Sequence, residues 1–292
     1  MFDLHMHSTH SDGKLSVTQL TEIIKEKKLE YCALSDHNTV SGVSELIEAL
    51  KNTEIKVIPA VELTAKYHNN EIHVLAYDFD IEMAAKIIKE RNEIVNGQRI
   101  KEMKLAIELS RKAGLKVTEG LSLNEKQPVT LTIALDICDN SDNQSFFVKN
   151  FGKEFTTEDV FYEYQAPGKV CHVERSGVTV EWIIQQFKGI AQDLIIAHPF
   201  VSVSVVALPL SESEIKDLLD LGLTGIEVYH NRTSVEQIKL LEKIVNERYI
   251  HYTGGSDFHG KTKDTPISQY ASNCFVSSFL LTNHKSDYPN KL

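Results

Sequence analysis

The chain has 292 residues, of which 42% are hydrophobic and 25% are charged. These ordinary proportions exclude a disordered, collagen-like or membrane-embedded chain. The 31 Lys and Arg residues against 41 Asp and Glu residues leave a formal charge of −10, which disfavours binding to long duplex nucleic acid or to an anionic membrane. Four scattered cysteines and a start without a signal-peptide pattern predict reduced thiols and a cytoplasmic location.

The first part of the chain alternates apolar strand patterns with amphipathic helix patterns, as in βαβ units. Strands are predicted over residues 2–7, 31–35, 56–61 and 71–77, and helices over residues 16–28 and 41–51. We therefore expect an α/β fold with a parallel sheet.

The alternation stops in the middle of the chain and then returns. A long helical stretch (81–113) leads into an irregular region with short helices at 129–138 and 157–164 and a polar loop at 139–144. Further strands are predicted at 193–197, 225–229 and 250–254, and further helices at 180–190, 211–221 and 234–248. We expect one α/β domain formed by residues 1–100 and 172–292, with residues 101–171 as an inserted, mainly helical domain that acts as a lid.

Almost every predicted strand ends in a histidine or a carboxylate. The strand ends of a barrel converge on one site, whereas an open sheet spreads them along a line. In the first strand, His5 and His7 are two residues apart, so both imidazoles point to the same face. Each motif alone also fits a capping, turn or solvent-facing residue, but together they predict a metal site. The candidate ligands are His5, His7, Asp12, His37, Glu62, His73, His198, Asp257 and His259.

This donor set contains nitrogen and oxygen and no sulfur, which suits Mn, Fe or Zn in a hydrolytic centre. The number of ligands exceeds the capacity of one ion, so two or three divalent ions are expected.

The motifs H-M-H with Asp12, S-D-H with His37, Glu62 with His73, A-H-P with His198, and G-S-D-F-H-G occur in that order. In this respect the chain resembles the PHP (polymerase and histidinol phosphatase) family over its whole length. The resemblance implies a distorted (β/α)7 barrel with a trinuclear centre. It assigns His5, His7, Glu62 and Asp257 to one metal, Asp12, His37 and His259 to a second, and Glu62, His73 and His198 to a third.

Within that family, the insertion resembles that of small bacterial phosphoesterases acting on nucleoside 3′,5′-bisphosphates and short RNA 5′ ends. Two positions depart from this subgroup. Asn38 replaces a common Asp, and Leu131-Thr132-Ile133 replaces a common Arg-Pro-His run whose Arg is expected to grip a substrate phosphate.

The resemblance implies a metal-dependent phosphoric monoester hydrolase that uses metal-activated water on a small nucleotide, with possible exonuclease activity on short single-stranded RNA. Two alternatives stay open: a histidinol-phosphate-type or other small-metabolite phosphatase, and a non-catalytic metal-binding module.

Several residues are candidates for roles beside the metals. His198, His230 and Asp257 are the candidate catalytic residues, and either histidine would assist the leaving group. His230 is also a candidate substrate contact, with a structural role as the alternative. Arg99, Lys153 and Arg175 are candidates for binding a second phosphate, with a solvated surface role as the alternative.

Overall fold

The computed structural model describes residues 1–124, 127–202, 207–261 and 265–269. Two compact units divide the chain: the first contains residues up to Arg91 and from Val178 onward, and the second contains Asn92–Gly177. The sequence predicts the boundaries of the inserted domain at residues 100/101 and 171/172. Within the described residues, no helix combines the length and apolar character needed to cross a bilayer.

The first unit begins with a small parallel sheet and two helices. Its elements are β1 (Phe2–Asp3), α1 (Val17–Lys27), β2 (Tyr31–Cys32), α2 (Val43–Leu50) and β3 (Lys56–Val57), and the strand order is β1-β2-β3. Helix α1 begins where the sequence predicts, because the Ser16 side chain accepts from the Gln19 N–H and Gln19 returns the contact. Its apolar face, with Leu20 and Ile24, is buried beside Met6 and Leu46.

A five-stranded mixed sheet forms the rest of this unit. Its strands are β4 (Ala60–Tyr67), β5 (Asn70–Tyr77), β6 (Asp193–Ile196), β7 (Gly225–His230) and β8 (His251–Gly255), in that order across the sheet. Helices α7 (Val180–Phe187), α8 (Glu212–Leu221) and α9 (Val235–Arg248) belong to the same unit.

The expectation of an all-parallel strand set is wrong at β5. Strand β5 pairs antiparallel with β4 and with β6, and only the β6–β7 and β7–β8 pairs of this sheet are parallel. The reason is local, since Tyr67 pairs with Asn70 and only two residues separate the strands. A connection this short allows a hairpin and no parallel crossover.

The described strands form two separate sheets and do not close into one continuous barrel ladder. Two single parallel bridges nevertheless connect the two sheets. Met6, after β1, bridges Phe258, after β8, and His37, after β2, bridges Glu62 in β4. Beyond β1, the backbone N–H of Asp257 donates to the carbonyl of His5. Gly255 permits this approach, because a Cβ at that position would overlap the Cβ of His5.

The second unit is helical and has its own core. It contains the C-terminal part of α3 (Ile81–Lys112), then α4 (Val129–Asp139), α5 (Ser141–Phe151), α6 (Thr157–Val160) and a π-helical turn (Phe161–Gln165). Its buried cluster includes Ile133, Ile137, Phe147 and Val160.

The prediction of a polar loop at 139–144 is wrong, because α5 begins at Ser141. The Asn140 side chain accepts from the N–H groups of Asp142 and Asn143 and caps the helix. Asn143 is itself buried and donates to the carbonyls of Lys116 and Ile137. A polar first turn therefore has the composition of a loop while it serves as a helix start.

We predict that Phe147→Ala lowers the free energy of unfolding by about 3–5 kcal/mol, since it empties a fully buried position of the second unit. The neighbouring Phe146 is 43% exposed, and Phe146→Ala should cost less than about 1 kcal/mol. Chemical denaturation followed by circular dichroism compares the two variants. Equal losses would contradict the core assigned to this unit.

Candidate metal centre

The site is built around the buried carboxylate of Glu62 in β4. Its Oε2 lies 3.2 Å from a ring nitrogen of three histidines, and its Oε1 lies 2.8 and 2.9 Å from two more. The first three are His5, His7 and His37, and the others are His73 and His198. Five predicted histidines, contributed by several strand ends, therefore meet at one carboxylate.

Asp257 supplies a second carboxylate just after β8. Its Oδ1 lies 3.2 Å from His7 Nε2, 3.5 Å from His5 Nε2 and 3.6 Å from His259 Nδ1. Its Oδ2 lies 3.3 Å from His230 Nε2. Asp257 thus shares the neighbours His5 and His7 with Glu62 and faces His230 with its other oxygen.

Asp12 lies on the solvent side of the cluster, with half of its side chain exposed. Its Oδ1 lies 3.2 Å from His259 Nε2 and 3.8 Å from His37 Nε2. The loop that carries it is held by the buried Asp36, which accepts from the N–H and hydroxyl of Ser8 and from the hydroxyl of Ser11. Asp36, the neighbour of the candidate ligand His37, thereby fixes the path of the chain toward Asp12.

Two of these residues have unusual backbone conformations. His198 has φ of 27° and Asp257 has φ of 52°, the left-handed region that residues other than glycine rarely occupy. Such conformations persist where surrounding contacts enforce them, and they are frequent at functional sites. The His198 N–H donates to Glu227 at 2.8 Å, which is one of those contacts.

Sequence reasoning missed Glu227. This fully buried carboxylate lies 2.9 Å from His5 Nδ1 and also accepts from the His198 backbone. The contact favours a proton on Nδ1 of His5, so that the Nε2 lone pair faces Glu62 and Asp257. The available signal was a carboxylate inside the apolar strand β7, because burying it without a partner is costly.

Three groups of side chains place their ligand atoms within 4.8 Å of one another: His7, Asp12, His37 and His259; His5, His7 and Asp257; and His37, Glu62 and His73. Within the described structure, both ring nitrogens of His7 and Nδ1 of His37 are buried without a hydrogen bond. Nitrogens that approach carboxylates without hydrogen-bonding them are suited to a shared cation. The residues therefore fit divalent metals with nitrogen and oxygen ligands.

The electrostatics agree with this fit. Burial would raise the pKa of Glu62, but His37 and His5 outweigh it and hold that pKa well below its usual range. Burial would likewise lower the pKa of His7, yet the adjacent carboxylates of Asp257 and Glu62 raise it to about 9. The carboxylate of Glu62 is therefore ionised within the cluster and attracts positive charge, which divalent metal ions would supply.

The predicted substrate residues fall in two groups. His230 lies in the first unit beside Asp257. In the second unit, Arg99 donates to the carbonyls of Asn124 and Gln127, and Lys153 pairs with Asp159 at 2.6 Å. Arg175 is partly buried in the same unit. The substrate roles of Arg99, Lys153 and Arg175 stay predictions.

Comparison with known proteins gives consistent matches. The PHP domain family model matches residues 3–192. A 5′-3′ exoribonuclease from Haemophilus influenzae is 25% identical over 264 residues, covering 88% of this chain and 89% of that protein. A 3′,5′-nucleoside bisphosphate phosphatase from Chromobacterium violaceum is 24% identical over 283 residues, covering 90% of this chain and 92% of that protein. A solved candidate metal-dependent phosphoesterase from Bifidobacterium adolescentis shares the fold at a TM-score of 0.61 and 23% identity, covering 92% and 91%.

We predict that Glu227→Gln weakens metal binding by about 10- to 100-fold, because it removes the negative charge that orients His5. The matched control is Glu242→Gln, since Glu242 accepts from the Tyr229 hydroxyl and contacts none of the candidate ligands among the described residues. Titration of the metal-free proteins with Mn²⁺ and Zn²⁺ measures both affinities. Equal affinities in the two variants would contradict a role for Glu227.

Proposed function

The chain belongs to the PHP domain family and is a metal-dependent phosphoesterase, and we propose that it hydrolyses a phosphomonoester of a small nucleotide. A nucleoside 3′,5′-bisphosphate or a short RNA 5′ end is the proposed substrate. The observation that carries the proposal is the overlap of the three ligand groups, which share His7 and His37. Ligands shared in this way suit a multinuclear centre for phosphate chemistry.

The proposed centre holds two or three divalent ions, with Mn, Fe or Zn as candidates. His5, His7 and Asp257 would hold one ion together with Glu62. Asp12, His37 and His259 would hold a second, and Glu62, His73 and His198 a third. When bound, such ions supply Lewis acidity that activates water and neutralises phosphoryl oxygens.

Charge complementarity supports a phosphate substrate. Three carboxylates, from Asp12, Glu62 and Asp257, only partly neutralise three divalent cations. A phosphomonoester dianion would supply two of the three missing negative charges, whereas a neutral amide or ester would supply none. The buried position of Glu62 strengthens this preference, because charge interactions are weakly screened there.

His230 is proposed to assist the leaving group as a hydrogen-bond donor. Its Nδ1 accepts from the backbone N–H of Arg232 at 3.2 Å, so a neutral ring carries its proton on Nε2. That nitrogen faces Asp257 at 3.3 Å. The backbone therefore fixes the orientation of the ring, and its Nε2–H can donate a hydrogen bond to a leaving-group oxygen beside Asp257 without giving up the proton.

We also propose that the two sheets are parts of a distorted (β/α)7 barrel. The bridges at Met6–Phe258 and His37–Glu62 support this arrangement. A cytoplasmic location is proposed as well, and the free thiols of Cys32, Cys138 and Cys171 are consistent with it.

Other functions remain testable against this proposal. A histidinol-phosphate-type phosphatase would prefer that monoester to a nucleotide. A non-catalytic metal-binding module is disfavoured, because every one of the candidate ligands is in place. Binding to short RNA is compatible with the net charge of −10, and its strength should increase as salt is reduced.

The central test is phosphate release from adenosine 3′,5′-bisphosphate with Mn²⁺. We predict release by the wild type, loss after chelation with recovery on adding Mn²⁺, and loss of both metal binding and activity in His7→Ala. The control is His10→Ala, because His10 pairs with Glu45 at the surface and should retain activity. Turnover by metal-depleted His7→Ala would refute the proposed function.

We propose that residues 101–171 act as a lid that selects substrates by size.

Leu131 stands where the resembled subgroup carries its phosphate-gripping Arg, and it is 37% exposed on α4. We predict that Leu131→Arg raises kcat/KM for the bisphosphate by about tenfold, the value of one charge-assisted contact. Leu135→Arg, one helical turn away and similarly exposed, should leave it unchanged. Steady-state kinetics of both variants decides whether the Leu131 position contributes to substrate binding.

A further inference from the structure

The rim of the metal centre carries positive charge that the metal assignment does not use. Among the described residues, Arg232 Nη2 lies 3.7 Å from Asp257 Oδ2, and Lys261 Nζ lies 3.7 Å from Asp12 Oδ2. The side chains of Arg232 and Lys261 are both about half exposed. The chain has a net charge of −10, yet these two side chains place positive charge beside the carboxylates of the site.

The Arg232 contact is too loose to be explained as a structural ion pair. A separation of 3.7 Å exceeds the range of a good N–H···O hydrogen bond, and a half-exposed pair contributes little to stability. The guanidinium therefore keeps donors available on its solvent side.

The backbone of Arg232, by contrast, is held firmly against the site. Its N–H donates to His230 Nδ1, and the N–H of Thr233 donates to the His230 carbonyl at 3.0 Å. The Asn231 amide donates to the carbonyl of Ser256, the residue before Asp257. A fixed backbone limits where the guanidinium can reach, which favours recognition of one particular group.

We propose that Arg232 binds the second, non-reacting phosphate of the substrate and so sets the preference for a bisphosphate over a monophosphate. This inference rests on the proposed function. The guanidinium forms paired hydrogen bonds with phosphate oxygens, and its half-exposed position outside the ligand cluster suits an anionic group beyond the one held by the metals. No such cation is needed for a substrate with a single phosphate.

The test compares kcat/KM for adenosine 3′,5′-bisphosphate with kcat/KM for an adenosine monophosphate. Of the 3′- and 5′-monophosphates, the one that is hydrolysed faster is used. In Arg232→Ala, the ratio of the two values should fall by about 10- to 100-fold, as expected for a lost charge-assisted pair. Arg232→Lys should recover part of the loss, because it keeps the charge without the planar fork.

Arg248→Ala is the matched control. Arg248 is the last residue of α9 and pairs with Asp220 of α8, about 20 Å along the helix from its first residue, Val235. This variant removes the same charge and should keep the wild-type ratio. If Arg232→Ala leaves the ratio unchanged, whether kcat/KM for both substrates stays the same or falls equally, the inference is overturned while the phosphoesterase function stays intact.

A binding measurement separates this inference from the proposed function. Mn²⁺-loaded protein is titrated calorimetrically with the non-hydrolysable 3′,5′-bisphosphonate analogue of adenosine and with a monophosphonate. Tighter binding of the bisphosphonate that is lost in Arg232→Ala supports the inference even if the wild type hydrolyses neither nucleotide. Equal affinity of the wild type for the two analogues contradicts it.

Discussion

The buried carboxylate of Glu62 is the constraint on which the rest of the site depends. An isolated ionised carboxylate is very costly to bury, and this one is fully enclosed. Positive or polar partners must therefore surround it, and five histidines do so within 3.2 Å. Since those histidines come from both sheets, satisfying one charge requires the strand ends to converge.

The members of the cluster could be predicted because each follows a recognisable local pattern. His5 and His7 share a face through strand alternation, and His198 and Asp257 follow apolar strands. Glu227 could not be assigned in the same way. The pattern marks it only as a carboxylate within a buried strand, whereas its partner His5 is 222 residues away in the chain. A contact of that separation is decided by the packed fold and not by local sequence.

The architecture shows the same division between local and long-range information. Helix α1 could be placed from its capping box, since Ser16 and Gln19 are adjacent in sequence. The direction of β5 depended on the length of the turn after Tyr67, which strand patterns do not report. The polar residues that begin α5 have the composition of a loop. Asn140 caps this helix, and asparagine is also a residue that favours turns.

The strained positions follow from the same constraint on Glu62. His198 must reach Glu62 with its ring while its backbone N–H reaches Glu227, and Asp257 must approach His7 while its N–H bonds to His5. Both residues make these two contacts from the left-handed region of backbone conformation. The cost is offset within the site itself, since each residue is held by backbone and side chain together. A cluster held in this way owes its arrangement to contacts between protein groups that lie far apart in the chain.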